Sequence, residues 1–127
     1  MSHLSKGACK IKDLFTLKEV AMEMGLQVHE KKRMKGEYIS DVKCEFVISD
    51  GRGGELAIVK SEVEGEFEVQ MDNYYNTICD LAGENGGTLT RDYMTEVHKK
   101  EAQLLGGVIA SQDVDEKGFV YLEVHTP

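Results

Sequence analysis

Cysteine, proline and long apolar runs are all scarce in this chain, and each scarcity excludes something. Three thiols, Cys9, Cys44 and Cys79, cannot all pair within one chain, and none stands in a C-x-x-C arrangement. A disulfide framework, a zinc ribbon and thiol exchange are therefore set aside, and reduced thiols packed in the interior are expected. The one proline is Pro127, so no proline-rich linker divides the chain, and no solenoid repeat is visible. A single domain over residues 1–127 is the expected organisation. No stretch approaches the roughly 18 apolar residues of a membrane span, and the N-terminus lacks the apolar core of a secretory signal. A cytosolic protein without membrane contact is expected.

Positive charge is also short. Fifteen Lys and Arg face twenty-three Asp and Glu, for a net charge of −8. The deficit is uneven. Residues 1–43 hold nine cations against six anions, and residues 44–127 hold six against seventeen. Overall acidity repels a phosphate backbone at long range, so general nucleic-acid binding is disfavoured. The dense basic run Lys31-Lys32-Arg33 with Lys35, flanked by Glu30 and Glu37, reads as a solvated strand end or loop.

Chemical signatures are equally sparse. The histidines, His3, His29, His98 and His125, show no zinc spacing, although His98 and Glu101 lie three apart on one helix. There is no nucleophile elbow and no complete cofactor fingerprint. No catalytic residue, metal or cofactor is expected, and an enzyme ranks behind a binding protein.

What the chain does contain is patterned for folding, with 41% apolar residues, enough for a core without cross-links. An opening strand leads to a helix capped by Asp13, with Leu14, Leu17, Val20, Ala21 and Met24 three or four apart and Gly25 as its left-handed stop. Leu26–Glu30 reads as a strand. The runs 44–48 and 56–59 are strands separated by the turn residues Asp50-Gly51-Arg52-Gly53-Gly54. In 66–71, Phe67, Val69 and Met71 alternate with polar groups, the mark of a half-buried antiparallel strand. Residues 72–82 suggest a short helix and 83–87 break it. Thr88 or Thr90 then caps a long helix with the stripe Leu89, Tyr93, Met94, Val97, Leu104 and Leu105, stopped by Gly106-Gly107. A hairpin from Val108–Ser111 and Phe119–Val124 closes the sequence.

Helices separated by meanders predict an α+β fold, an antiparallel sheet with two main helices packed on one face. A ferredoxin-like arrangement with added strands is the leading topology.

Several of these positions resemble an uncharacterised family, that of the hypothetical chloroplast reading frame thirty-five, whose relatives occur in plastids, cyanobacteria, other bacteria and phages. The resemblance rests on Met1-Ser2-His3-Leu4, Ile11, Asp13, Leu17, Ala21 and Met24-Gly25, then on Val69-Gln70-Met71-Asp72. It continues through Leu89, Tyr93, Val97, Ala102 and Gly106 to the turn 115–119 and Tyr121-Leu122-Glu123-Val124. It departs at Tyr74-Tyr75, where tryptophan is expected. The resemblance implies a bacterial or phage type of protein and carries no activity.

The candidate binding surface combines Asp72, Tyr74 and Tyr75 with Gly86, Gly87, Thr88 and Arg91 in the connection 83–91. Asp92 and Tyr93 belong to the same constellation. Tyrosines offer flat contact area with a polar tip, aspartate fixes orientation, and a glycine-rich helix start can receive an anion. Tyrosines closing the edge of the core and glycines merely reversing the chain are the plainer reading.

The sequence thus points to a small acidic binding or adaptor protein acting through a protein partner or self-association. Sheet edges such as 66–71 or the terminal hairpin would supply the pairing surface. The alternative is a protein that binds or sequesters a nucleotide or anion.

Overall fold

Residues 4–6, 10–34, 42–72, 76–114 and 120–125 are described by the computed structural model. The chain begins with β1 (Leu4–Lys6) and α1 (Leu14–Glu23), and α1 starts where the sequence predicts. The Asp13 carboxylate accepts from the Thr16 amide at 3.1 Å and from the Thr16 hydroxyl at 2.6 Å, satisfying donors the first turn leaves open. At the other end Gly25 has φ +85°, and the Leu26 and Gly25 amides close back on the carbonyls of Ala21 and Met22. That double closure needs a residue in the left-handed region, which glycine enters without steric cost.

Strands β2 (Gln27–His29), β3 (Arg33–Met34), β4 (Val42–Lys43), β5 (Phe46–Ser49), β6 (Glu55–Lys60) and β7 (Phe67–Asp72) follow. The turn 50–54 joins β5 to β6 as expected, with Ser49 opposite Glu55. After β7 come a single turn α2 (Cys79–Ala82), a 3-10 turn over Glu84–Gly86 and the long α3 (Gly87–Leu104). The closing hairpin is β8 (Val108–Val114) with β9 (Val120–His125). Its predicted turn, 115–118, lies outside the described residues.

The fold is α+β. The main sheet runs β1-β7-β6-β5-β2, and every neighbouring pair is antiparallel. Strands β1 and β2, joined by α1, therefore run in the same direction with three strands between them. A ferredoxin-like sheet slots one strand there and returns the strand after the second helix to the same sheet. Here β8 and β9 pair only with each other among the described strands, so the ferredoxin-like topology does not hold. The expectation that 66–71 is an edge strand is also corrected. Strand β7 is bordered by β1 on one side and β6 on the other, and an antiparallel bridge between Ile11 and Phe67 extends the β1 side.

Both faces of this sheet are covered. Phe46, Ile48, Leu56, Ile58, Val69 and Met71 face Leu17, Val20 and Ala21 of α1 and Leu89 and Tyr93 of α3. The alternate residues Val47, Ala57 and Val59 form a second apolar cluster with Met34, Val42 and Cys44, from the β3–β4 ribbon and the segment after it. Two covered faces explain why β5 and β6 are near-continuous apolar runs. Burying one large aliphatic side chain stabilises by about 1.5–3 kcal/mol, whereas an exposed ion pair such as Lys18–Glu30 contributes at most about 1 kcal/mol. The two apolar layers hold the fold.

Helix α3 departs from its predicted cap. Its N-cap is Gly86, at φ +70° and without a side-chain cap bond. The Thr90 hydroxyl instead donates back to the carbonyls of Gly86 and Gly87 at 3.0 and 3.2 Å. The helix start lies against β7: a Cβ on Gly86 would stand 3.0 Å from the Val69 side chain. The predicted stripe is buried at Leu89 and Tyr93 and partly covered at Met94 and Val97, but Leu104 and Leu105 are 87% and 80% exposed. Nothing described covers them. Gly106, at φ +79°, ends the helix as its spacing predicts.

Candidate functional site

The predicted surface around Asp72 and the 83–91 connection is a packed junction. Tyr74 and Tyr75 lie outside the described residues. Asp72 ends β7, and Asn76 donates from its amide nitrogen to the Asp72 carbonyl at 2.7 Å and to the Glu55 carbonyl at 2.9 Å. Beside it, Asp50 binds the hairpin turn to the α2 approach. It accepts from the Arg52 and Gly54 amides at 2.7 and 2.9 Å and from the Thr77 hydroxyl. Burial opposes ionisation of Asp50 most strongly, yet these hydrogen bonds and the Arg52 charge together hold its carboxyl below the usual range.

Gly86 and Thr90 are consumed by packing and back-bonding, and Gly87 is exposed in the first turn. Thr88 crowds Gly83, where an added Cβ would stand 2.6 Å from its hydroxyl oxygen. Arg91 turns to its neighbour Asp92 at 3.2 Å. Burial, followed by the charges of Glu84 and Asp80, pushes the Cys79 thiol up, with Asp72 adding to the effect.

Burial likewise pushes the Cys44 thiol up, and its sulfur donates to the Lys31 carbonyl at 3.6 Å. Cys44 is buried, as the sequence suggests, and Cys79 is half-buried. Cys9 and His3 lie outside the described residues.

A concave surface lies elsewhere. A groove of about 740 Å³ runs along α3 beside the start of α1. Tyr93, Met94 and Val97 form its apolar side, with His98, Glu101 and the exposed Leu104 further along the same helix. Lys10, Lys12 and Glu66 border it from the sheet, and Asp13 and Lys100 complete it. At its base the Tyr93 hydroxyl accepts the amides of Lys12 and Asp13 at 3.1 and 3.0 Å, tying α3 to the entrance of α1.

Each lysine is already engaged: Lys10 with Glu68 at 3.0 Å, Lys12 with Glu66 at 3.7 Å, and Lys100 with Glu19 at 2.8 Å. Lys100 also donates to the Thr16 hydroxyl at 2.9 Å and lies over the Phe15 ring. The Glu19 hydrogen bond is the main cause holding its ammonium above the ordinary lysine value. The groove therefore offers an apolar floor with a balanced charged rim.

Sequence reasoning placed Tyr93 and Val97 in the core and missed the groove. Lys10 and Lys12 stand about eighty residues from Tyr93 along the chain, and only the fold joins them. The one available signal was a stripe that continued past the core to Leu104. His98 and Glu101 do share the groove, and no group of three or more His, Cys, Asp or Glu suited to a metal occurs among the described residues.

The fold and site define a small α+β module with one helical layer, one ribbon layer and a groove between helix and sheet. No family model, no curated protein and no solved structure matches the chain. No helix among the described residues is long and apolar enough to cross a membrane.

Proposed function

We propose that this protein is a small cytosolic binding or adaptor module that engages a protein partner, or a second copy of itself, through the groove along α3. The observation that carries the reading is the half-covered apolar row Met94 and Val97 leading to Leu104, which stands 87% exposed. A leucine so open at the end of a partly covered stripe is the kind of apolar contact that partner helices and strands cover.

The test is Leu104→Glu, which changes an exposed position and leaves the core intact. Sedimentation of the purified chain and capture from native lysate are compared for both forms. Association weakened at least tenfold, about 1.4 kcal/mol, supports the groove. A monomer that retains no protein, or a variant that associates like the parent, removes it.

A second reading, a bacterial or phage protein that binds a nucleotide or anion, draws support from the groove's volume, which falls in the usual ligand-site range. A thermal-shift screen against nucleotides and inorganic anions separates the two, because a ligand specific for the native state raises the melting temperature.

A further inference from the structure

The β3–β4 ribbon carries an electrostatic arrangement that folding alone opposes. Its register places Arg33 directly opposite Lys43, and both are exposed. The neighbouring pair, Met34 opposite Val42, is buried on the inner side, so the ribbon is fixed on the sheet by that contact. Like charges directly across an antiparallel pair destabilise it. The surrounding cations are matched: Lys31 lies 3.8 Å from Glu55, and Lys32 and Lys60 lie 4.0 and 3.6 Å from Glu45. Arg33 and Lys43 have no such partner among the described residues. They put two exposed cations side by side on this face.

We propose that the Arg33–Lys43 face docks an acidic polypeptide segment of a partner protein. Cross-strand neighbours are close enough to share one carboxylate or take two from an extended peptide, whose like-facing side chains repeat about every 6.6–6.8 Å. Strands β3 and β4 pair only with each other among the described strands, so the ribbon also has backbone edges to which an extended segment can add. A nucleic acid fits less well. The described part of the ribbon has no aromatic side chain on which a base would stack. The inference is independent of the α3 groove.

The probes are a fluorescein-labelled decaglutamate peptide and an oligothymidylate of similar charge, followed by anisotropy at low and at physiological salt. The full chain should bind decaglutamate at low salt, more weakly as salt rises, and Arg33→Glu with Lys43→Glu should weaken binding at least tenfold. Leu104→Glu should leave it unchanged, which separates this site from the groove. Lys43→Glu alone should melt no lower than the parent, because it converts a repelling pair into an attracting one. No binding to decaglutamate, equal binding by the double variant, or a melting temperature lowered by Lys43→Glu overturns the proposal. Oligothymidylate bound tenfold tighter than decaglutamate, and lost in the double variant, overturns the peptide assignment in favour of phosphate.

Discussion

The Tyr93 hydroxyl accepts the Asp13 amide at 3.0 Å, so the residue that caps α1 is itself held by α3. With the Lys12 amide at 3.1 Å, one oxygen satisfies two backbone donors where the chain leaves the sheet for the helix. Tyr93→Phe keeps the ring and strands both donors. Stability in urea should fall by about 1–3 kcal/mol, the net worth of two hydrogen bonds in a half-buried setting. A loss under about 0.5 kcal/mol would mean that water replaces the hydroxyl.

Leu17 and Val97 separate under truncation. Leu17 is fully buried between α1 and the sheet, so Leu17→Ala should cost about 2–5 kcal/mol. Val97 only borders that core and lines the groove, so Val97→Ala should cost less than about 1.5 kcal/mol. Equal losses in denaturant melts would contradict the half-covered stripe.

Acid should weaken the fold through Asp13. Hydrogen bonds from the Thr16 hydroxyl and amide, together with the charge of Lys100, outweigh burial and hold its carboxyl below the ordinary value. A folded-state value below the unfolded one contributes stability that is present above about pH 3.9 and is lost as pH falls through the folded value. Asp50 works in the same direction. Asp13→Asn keeps a capping side chain but removes the titration, so its urea midpoint should fall less steeply between about pH 5 and pH 2. A slope equal to that of the parent would show that other carboxylates dominate.

Gly54 and Gly53 should respond differently to alanine. A Cβ on Gly54 meets the backbone nitrogen of Ile78 and stands 2.6 Å from both the Asp50 carboxylate and the Thr77 hydroxyl. Gly54→Ala must spread the hairpin from the α2 approach, and should cost more than about 2 kcal/mol. Gly53 faces open space at φ +96°, so Gly53→Ala should carry only the backbone strain, about 1–2 kcal/mol. Thermal melts of both variants rank them.

Local chemistry was legible in the sequence wherever a residue acts on its own neighbourhood. The Asp13 cap, the Gly25 and Gly106 stops and the 50–54 turn depend on side chains within a few positions, and all stand where spacing put them. The α+β class followed from the same signals. Relations between distant segments were not legible. The basic run 31–35 read as solvated because its charges are visible, whereas Met34 gains its meaning only from Val42 and the second face of the sheet. Strand β7 read as an edge because alternation reports one polar face and says nothing of neighbours. Thr88 and Thr90 both look like caps, whereas α3 starts after Gly86, which lies close against Val69 of β7. Of the groove, only the continuation of the stripe to Leu104 was legible.

The two strands that flank α1 occupy opposite margins of a sheet whose middle is made later in the sequence. During synthesis on the ribosome, residues 4–29 emerge with no finished docking surface. β1 and Ile11 wait for 67–72, β2 waits for 46–49, and the apolar stripe of α1 waits for both. The hairpins among 46–72 join close neighbours in sequence and can form first, in keeping with the early gain of local contacts. A nascent chain arrested just short of residue 67 should therefore leave Leu17, Val20 and Ala21 open to protease or a holding chaperone. One extended beyond residue 104 should shelter them, so vectorial production makes residues 4–29 the last part of this sheet to settle.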